Sequence, residues 1–150
     1  VIRGGLSAPA SERFDRDILA QQGVTDLVIF EGVNDLSSIK DDGAKTVRML
    51  TKFYRLFAKK AKEKGMRVYG GTIMPFKNSF AYSETHEKAR QEVNQWIRTA
   101  PDYDGVIDFD KATADPADPE ALMENLQSDW LHPNADGYKV MGECAAKAFK

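Results

Sequence analysis

Apolar and polar positions switch between two rhythms along the 150 residues. In "SERFDRDILAQQG", Phe14, Ile18 and Leu19 recur at helical spacing. Ser11 stands where an N-cap belongs and Gly23 where a helix stops. "DLVIFEG" follows as an unbroken apolar run ending at Gly32, the pattern of a strand buried on both faces in a parallel sheet. From about Asp42 to Lys64, Val47, Leu50, Phe53, Tyr54, Phe57 and Ala61 mark one face of a long helix. Lysines crowd its last turn, where they complement the helix dipole, and Gly65 follows it. "MRVYGGTIMPF" predicts a second strand running into a loop with Pro75 and Asn78. "SETHEKARQEVNQWIRT" predicts a helix with Ala89, Val93, Trp96 and Ile97 inward, and "GVIDF" a third, short strand. A loop rich in Asp and Pro then leads to a short helix near Pro119 to Asn125. The last helix starts at Asn134 and carries Tyr138, Met141, Ala145 and Ala148 on one face.

Strands separated by helices predict right-handed crossovers, and so an α/β fold with a parallel sheet covered on both sides. Ligands bind such sheets beyond the C-terminal strand ends, which here are Gly32 to Asp35, Met74 to Phe76, and Asp108 to Asp110. The "DWLHPN" loop comes soon after the last strand and is expected over the same edge.

Length fits one domain, residues 1–150, with one core. Hydrophobic residues at 42% and charged residues at 29% are ordinary for a globular chain. With a net charge of −2 and no basic patch, no nucleic-acid partner is expected. Apolar runs such as "LVIF" are far too short to span a bilayer, so no membrane partner is expected. Cys144 is the single cysteine, which excludes an internal disulfide framework and a Cys-based zinc site and fits a small core residue. The opening "VIRGGLSAPASERF" has neither Met nor a signal peptide and reads as if entered in mid-protein, leaving the compartment open.

Two stretches carry chemistry. In "EGVND", Glu31 to Asp35, Gly32 allows a tight turn, Asn34 can present its side-chain NH₂ above the sheet edge, and Asp35 can hold the turn through nearby backbone N–H groups. A plain strand-to-loop turn uses the same residues. In "DWLHP", an Asp129 that accepts Nδ1–H of His132 would fix the tautomer and leave Nε2 free as a base. Pro133 keeps His132 extended and out of the following helix. The alternative is a loop histidine before a helix-starting proline. His86, in the charged run "ETHEKAR", reads as a solvated helix residue and takes no role.

Taken together, "GVND" at 32–35 and "DWLHP" at 129–133 resemble the SGNH, or GDSL-like, family of serine esterases and acylhydrolases. There a Gly-x-Asn-Asp block follows the third strand and an Asp-x-x-His block precedes the last helix. "RFDRDIL", "TIMPF" and "DGYKVM" look like one branch of it, and the resemblance covers essentially the whole chain. It implies a three-layer α/β/α fold with a flavodoxin-like sheet in the order 2-1-3-4-5. It also implies hydrolysis of a small ester, an acylated carbohydrate or a lipid-like ester, with no cofactor and no metal. By position His132 takes the base role, Asp129 the orienting role and Asn34 the side-chain oxyanion donor.

The family's Gly-Asp-Ser nucleophile block does not occur here. Gly4 and Gly5 lie where the family's second-block glycine belongs, but no Gly-x-Asn pattern surrounds them. Ser7 and Ser11 read as loop and cap residues, Ser37 and Ser38 lack a strand-to-turn context, and Ser128 is too close to Asp129. The three strands are therefore read as family strands 3 to 5, with strands 1 and 2 and the serine expected upstream of Val1. An N-terminally truncated domain of this kind is expected to be inactive alone. It would form a homo-oligomer or pair with the missing segment through "DLVIF". Three alternatives are set against one another. The chain is the C-terminal portion of an ester hydrolase, a non-catalytic binding or oligomerisation module, or a phosphate-binding flavodoxin-like domain. For the last it lacks a glycine-rich loop opening a helix. No acyl pocket is legible, since Phe76, Phe80 and Tyr82 suit a substrate wall and internal packing equally.

Overall fold

Three apolar runs come together in one parallel sheet. The computed structural model describes residues 1–4 and 7–149. In it β1 (Asp26–Ile29), β2 (Arg67–Gly71) and β3 (Gly105–Ile107) pair in the order β1-β2-β3. The register sets Leu27 against Val68, Ile29 against Gly70, and Gly70 against Val106. Both crossovers run through a helix, as parallel pairing requires. Helix α3 (Ala44–Glu63) links β1 to β2, and α4 (Glu84–Thr99) links β2 to β3. The other helices are α1 (Ala10–Phe14), which runs on as a π-helical turn over Asp15–Leu19, α2 (Val33–Leu36), α5 (Phe109–Thr113) and α6 (Ala135–Ala148). The adjacency of these strands agrees with neighbours 3-4-5 of the implied sheet order.

The sheet's two faces bury different side chains because successive residues point to opposite sides. Leu27, Ile29 and Val68 pack with Leu50, Tyr54 and Phe57 of α3 and with Val93 and Ile97 of α4. Phe14 of α1 stacks on Phe57, ring centroids 4.3 Å apart. On the opposite face Tyr69 and Ile107 pack with Phe109 and with Met141, Cys144, Ala145 and Ala148 of α6. The arrangement is three-layer α/β/α. β1 is buried on one face only: Val28 and Phe30 on its other side are each 37% exposed. The unbroken run predicted burial on both faces, but among the described residues the cluster that α6 forms on that side takes in Tyr69 and Ile107 and no residue of β1.

Local chemistry sets the boundaries. Gly65 ends α3 at φ 81°, with Gly65 N–H on the Lys62 carbonyl at 2.9 Å and Met66 N–H on that of Ala61 at 3.1 Å, a Schellman closure. Ser83 caps α4 by accepting from His86 N–H, and Asn134 caps α6 by accepting from Gly137 N–H. Ser11 is not the α1 cap: Pro9 holds that position and Ser11 lies in the first turn. After β3 the chain differs from expectation. Asp108 accepts from Lys111 N–H and starts α5. Residues 114 and 122 then form an antiparallel bridge, and a 3₁₀ turn over Glu124–Leu126 replaces the helix expected near Pro119 to Asn125.

A buried polar network ties α4 to the ends of β2 and β3. Asn94 donates from Nδ2 to the Ile73 carbonyl at 2.8 Å and accepts Ile73 N–H at 2.7 Å. Arg90, 2% exposed, donates to the same carbonyl at 2.9 Å, to both oxygens of Glu87 at 2.7 and 2.6 Å, and to Asp110 at 2.5 Å. Arg98 grips Asp108 with two bonds and reaches Asp110 at 2.6 Å. Burial pushes the Asp108 carboxyl up, but the Arg98 bonds and charge, with Lys111 N–H, outweigh it and hold the group below its ordinary value. His86 is half-buried rather than solvated, its ring nitrogens 2.7 Å from the Ala81 carbonyl and 3.1 Å from that of Ile39.

The turn after β1 admits only glycine. Gly32 sits at φ 124°, and a Cβ there would lie 2.5 Å from the Tyr54 hydroxyl and 3.1 Å from Ile73 Cδ1. Tyr54 donates that hydroxyl to the Glu31 carbonyl at 2.5 Å, so it cannot swing away freely.

Gly32→Ala is expected to destabilise the fold by about 1–3 kcal/mol through backbone strain, plus the contact with Tyr54. Tyr54→Phe removes the hydroxyl, so the double variant should lose less than the two singles summed, as read by urea denaturation. The Asp108 carboxylate, with its folded pKa depressed, stabilises the protein above the ordinary carboxylate range and loses that contribution as pH falls through the depressed value. The difference in Tm between the parent and Asp108→Asn should therefore be constant from neutral pH down to about pH 5 and shrink below about pH 4.

Candidate functional site

Asn34 and Asp35 form the single turn of α2 directly after Gly32. Asp35 is buried, and its partners are not the nearby turn amides that the sequence predicted. Its Oδ1 accepts from Ile2 N–H at 2.9 Å and Arg3 N–H at 3.3 Å, and its Oδ2 from the Val1 nitrogen at 2.7 Å. The carboxylate thus ties the segment before α1 to the end of β1. Asn34 is exposed. Its carbonyl accepts from Ser37 Oγ at 3.1 Å and Ser38 Oγ at 2.8 Å. Gly4 borders a second cavity, of about 540 Å³, that Asn34 and Asp35 also line; Gly5 lies outside the described residues.

"DWLHP" folds on itself. Asp129 Oδ1 accepts from Leu131 N–H at 3.1 Å and His132 N–H at 2.8 Å, while Oδ2 lies 2.8 Å from His132 Nδ1. An ionised carboxylate only accepts, so Nδ1 carries the proton and Nε2 keeps its lone pair. The His132 side-chain bond, then the His132 and Leu131 backbone bonds, hold the Asp129 carboxyl below its ordinary range. Trp130 takes a left-handed φ of 64° to close the turn, with its N–H on Gln127 Oε1 at 2.6 Å. Behind it, Gly137 of α6 meets the Leu126 carbonyl so closely that a Cβ would lie 2.2 Å from the oxygen. The glycine lets α6 start directly under the histidine loop.

These pieces meet at one cavity of about 210 Å³. Its walls are Phe30 to Asn34 after β1, Ile73 to Pro75 after β2, the Leu131–His132–Pro133 loop, and Tyr138 and Met141 of α6. Asn34 and His132, far apart in sequence, therefore border the same space, and His132 is 65% exposed. Asp108 and Asp110, the third strand end, do not reach it; they are held in the arginine network. Phe76 is buried in the core, Phe80 is exposed, and Tyr82 donates its hydroxyl to Glu120 at 2.8 Å. None of the three lines the cavity. Tyr138 is 60% exposed and lines the cavity instead of entering the core.

No serine hydroxyl hydrogen-bonds His132 among the described residues. Ser79 Oγ donates to the Phe76 carbonyl at 2.6 Å, and Ser83 is the α4 cap. Among the described residues no three His, Cys, Asp or Glu side chains converge to hold a metal ion, and no helix is long and apolar enough to cross a membrane. The walls from Gly32 to Asn34, at Met74 and Pro75, and in the histidine loop belong to the strand ends and loop that the sequence placed at one edge. Phe30, Ile73, Tyr138 and Met141 as cavity walls and the Arg90–Asn94 network escaped the sequence reading. On α4, Arg90 and Asn94 follow Ala89 and Val93 by one residue each, and Glu87 lies one turn before Arg90, so these polar side chains border the helix's buried stripe.

Comparison with known proteins gives one consistent result. The chain is similar to a G-D-S-L family protein from Desulfitobacterium hafniense DCB-2, at 22% identity and a TM-score of 0.72, over 92% of this chain and 72% of that one. It is also similar to a GDSL-like lipase from Bacteroides thetaiotaomicron VPI-5482, at 19% identity and a TM-score of 0.72, over 91% of this chain and 67% of that one. At such identities the likeness shows the fold. No curated protein matches the sequence. Residues 2–140 match the GDSL-like lipase/acylhydrolase family, and the chain belongs to it.

Proposed function

We propose that this chain carries the base and oxyanion half of an ester hydrolase, with His132 as general base, Asp129 as its orienting carboxylate and Asn34 as a side-chain oxyanion donor. The observation that carries the reading is the single cavity bordered by Asn34 and by a histidine whose Nδ1 is already committed to Asp129. Membership of an acylhydrolase family supports the hydrolase class.

In this reading a serine Oγ attacks the ester carbonyl carbon as its proton passes to His132 Nε2. The carbonyl oxygen becomes an oxyanion and accepts a hydrogen bond from the Asn34 amide. The C–O bond to the alcohol then breaks, and the alcohol leaves with the proton from His132. Water repeats the sequence on the acyl-serine, releasing the acid and restoring the hydroxyl. Asp129 stays ionised and stabilises the imidazolium. The attacking serine is proposed to come from polypeptide outside these 150 residues, since no described serine engages His132. The outer edge of β1, terminal in the order β1-β2-β3 among the described residues, is the proposed pairing edge for its strand.

Residues 1–150 alone should hydrolyse p-nitrophenyl acetate no faster than the His132→Ala variant. With a serine-bearing segment fused or added separately, turnover should appear. Asn34→Ala should then lower kcat by about 10²–10³, the usual loss for one oxyanion donor, with little change in KM because that bond strengthens only as charge develops. Asp129→Asn should slow turnover and His132→Ala should cost more. Steady-state kinetics that ignore both His132 and Asn34 would remove the assignment.

A further inference from the structure

We propose that the outward face of α3 is a docking surface for an acidic polypeptide segment, with Lys45, Arg48, Lys52, Arg55 and Lys59 as its contacts. The proposal stands apart from the ester-hydrolase reading and uses none of its residues. All five side chains are exposed and recur three or four residues apart, so they fall in one row along the helix. At 1.5 Å per residue the row is about 21 Å long. Leu56, 39% exposed, lies beside it. Arg48, Lys52, Arg55 and Lys59 border a shallow groove with Thr51 and Leu56, and no acidic residue lines it. Along the chain the five cations are interleaved with Val47, Leu50, Phe53 and Tyr54, which pack toward the core, so no basic block stands out in the sequence. The helix gathers them, which corrects the expectation of no basic patch.

The other long helices show what a merely solvated face looks like here. Exposed positions of α4 include Glu84, Lys88 and Glu92, and those of α6 include Lys139, Glu143 and Lys147. Each row alternates in sign at i,i+4 spacing, where opposite charges stabilise a helix and like charges oppose it. α3 stacks like charges at that spacing instead. Its first turn, where the helix dipole favours acids, holds Lys45 and no acid. Pairing within the chain relieves little of this. Among the described residues Lys45, Arg48 and Lys52 form no salt bridge, Arg55 reaches Asp102 at 3.4 Å, and Lys59 reaches Glu63 at 3.9 Å. A partner that removes the repulsion has to be narrow, because acids flank the row. On one flank Lys60 holds Asp15 at 2.6 Å, and on the other Lys62 holds Asp104 at 3.1 Å. A flat anionic membrane or a nucleic-acid duplex would meet these acids too, whereas a single acidic segment meets the row alone. Its carboxylates, on every second residue of an extended chain, repeat at about 6.6 Å. That is close to the roughly 4.5–6 Å between cations three or four residues apart on a helix. One apolar side chain among them would cover Leu56.

The test is fluorescence anisotropy of a labelled peptide in which Glu alternates with Ser and one central Glu is replaced by Leu, titrated with the 150-residue chain. The expected result is saturable binding that weakens as salt rises. Lys45→Gln, Arg48→Gln and Lys52→Gln should each weaken it by about fivefold, the upper end for one exposed ion pair, and the three together by about a hundredfold. Lys139→Gln with Lys147→Gln, which removes charge from α6, should leave it unchanged. Leu56→Ala should weaken it by about fourfold, the increment for one buried CH₂, without altering the salt dependence. The α3 glutamine variants relieve like-charge contacts, so they should unfold at no lower urea concentration than the parent, which separates lost binding from lost fold. Absence of saturable binding, an equal loss in the α6 double variant, or equally tight binding of a peptide with Lys in place of Glu overturns the proposal. So does binding of phosphatidylserine vesicles or duplex DNA through the same five side chains without binding of the peptide, which would make the face a membrane or nucleic-acid contact.

Discussion

The peptide of Ile73 is gripped on both of its polar atoms by one side chain, Asn94, and its carbonyl is taken a second time by Arg90. At this point β2 has run out of strand partners, and a buried peptide without hydrogen bonds would cost about 1–3 kcal/mol. Asn94 removes that cost by imitating the missing strand. Arg90 then joins the same carbonyl to Glu87 and Asp110, so the exit of β2, the start of α5 and the body of α4 share one ionic knot. Such a knot is weak as a source of net stability, since desolvation offsets much of its attraction. Breaking one member, however, strands a buried charge at a cost of about 3–5 kcal/mol. Its effect is on geometry: it fixes where the Ile73–Met74–Pro75 wall leaves the sheet.

The cavity is assembled from parts held by different forces. Its β1 side depends on a glycine that alone fits beneath the Tyr54 hydroxyl. Its β2 side depends on the ionic knot. Its third side, the histidine loop, is fixed by hydrogen bonds within "DWLHP" and by the close seating of Gly137 against Leu126. Parallel sheets favour this assembly because every strand delivers its C-terminal end to one edge. Side chains distant in sequence then meet without any long loop having to be ordered.

Much of this was legible in the sequence, for identifiable reasons. Helical and strand rhythms located α3, α4, α6 and all three strands, because burial of one face or stripe imposes a period that survives in the residue types. The Asp129–His132 pair was legible because its partners lie within one turn of chain. The meeting of Asn34 with His132 followed from strand order. What was hidden depends on tertiary surroundings. Glu87, Arg90 and Asn94 look like a solvated helix face, and their burial requires each to find the others and Ile73. Tyr138 has the spacing of a core residue, yet it is exposed and lines the cavity. The half-exposure of β1 could not be read from "DLVIF", because an apolar run records an affinity for cover and not which neighbours are there to supply it. The segment holding Asp35 was misjudged for a related reason: its partners, Val1 to Arg3, are sequentially remote.

The Asp129 carboxylate divides its two oxygens between tasks, one holding the imidazole and the other holding the backbone that carries it. His132 and Asp129 are thus joined in a single tight insert, small enough to move as a unit. Asn34 belongs to a different body, the end of β1. Slow breathing of the domain would leave the insert intact and vary only the gap across the cavity. For the proposed reaction, the orientation of the imidazole by Asp129 would then be nearly indifferent to temperature-driven loosening. Charge stabilisation across the gap would be the step that feels it first.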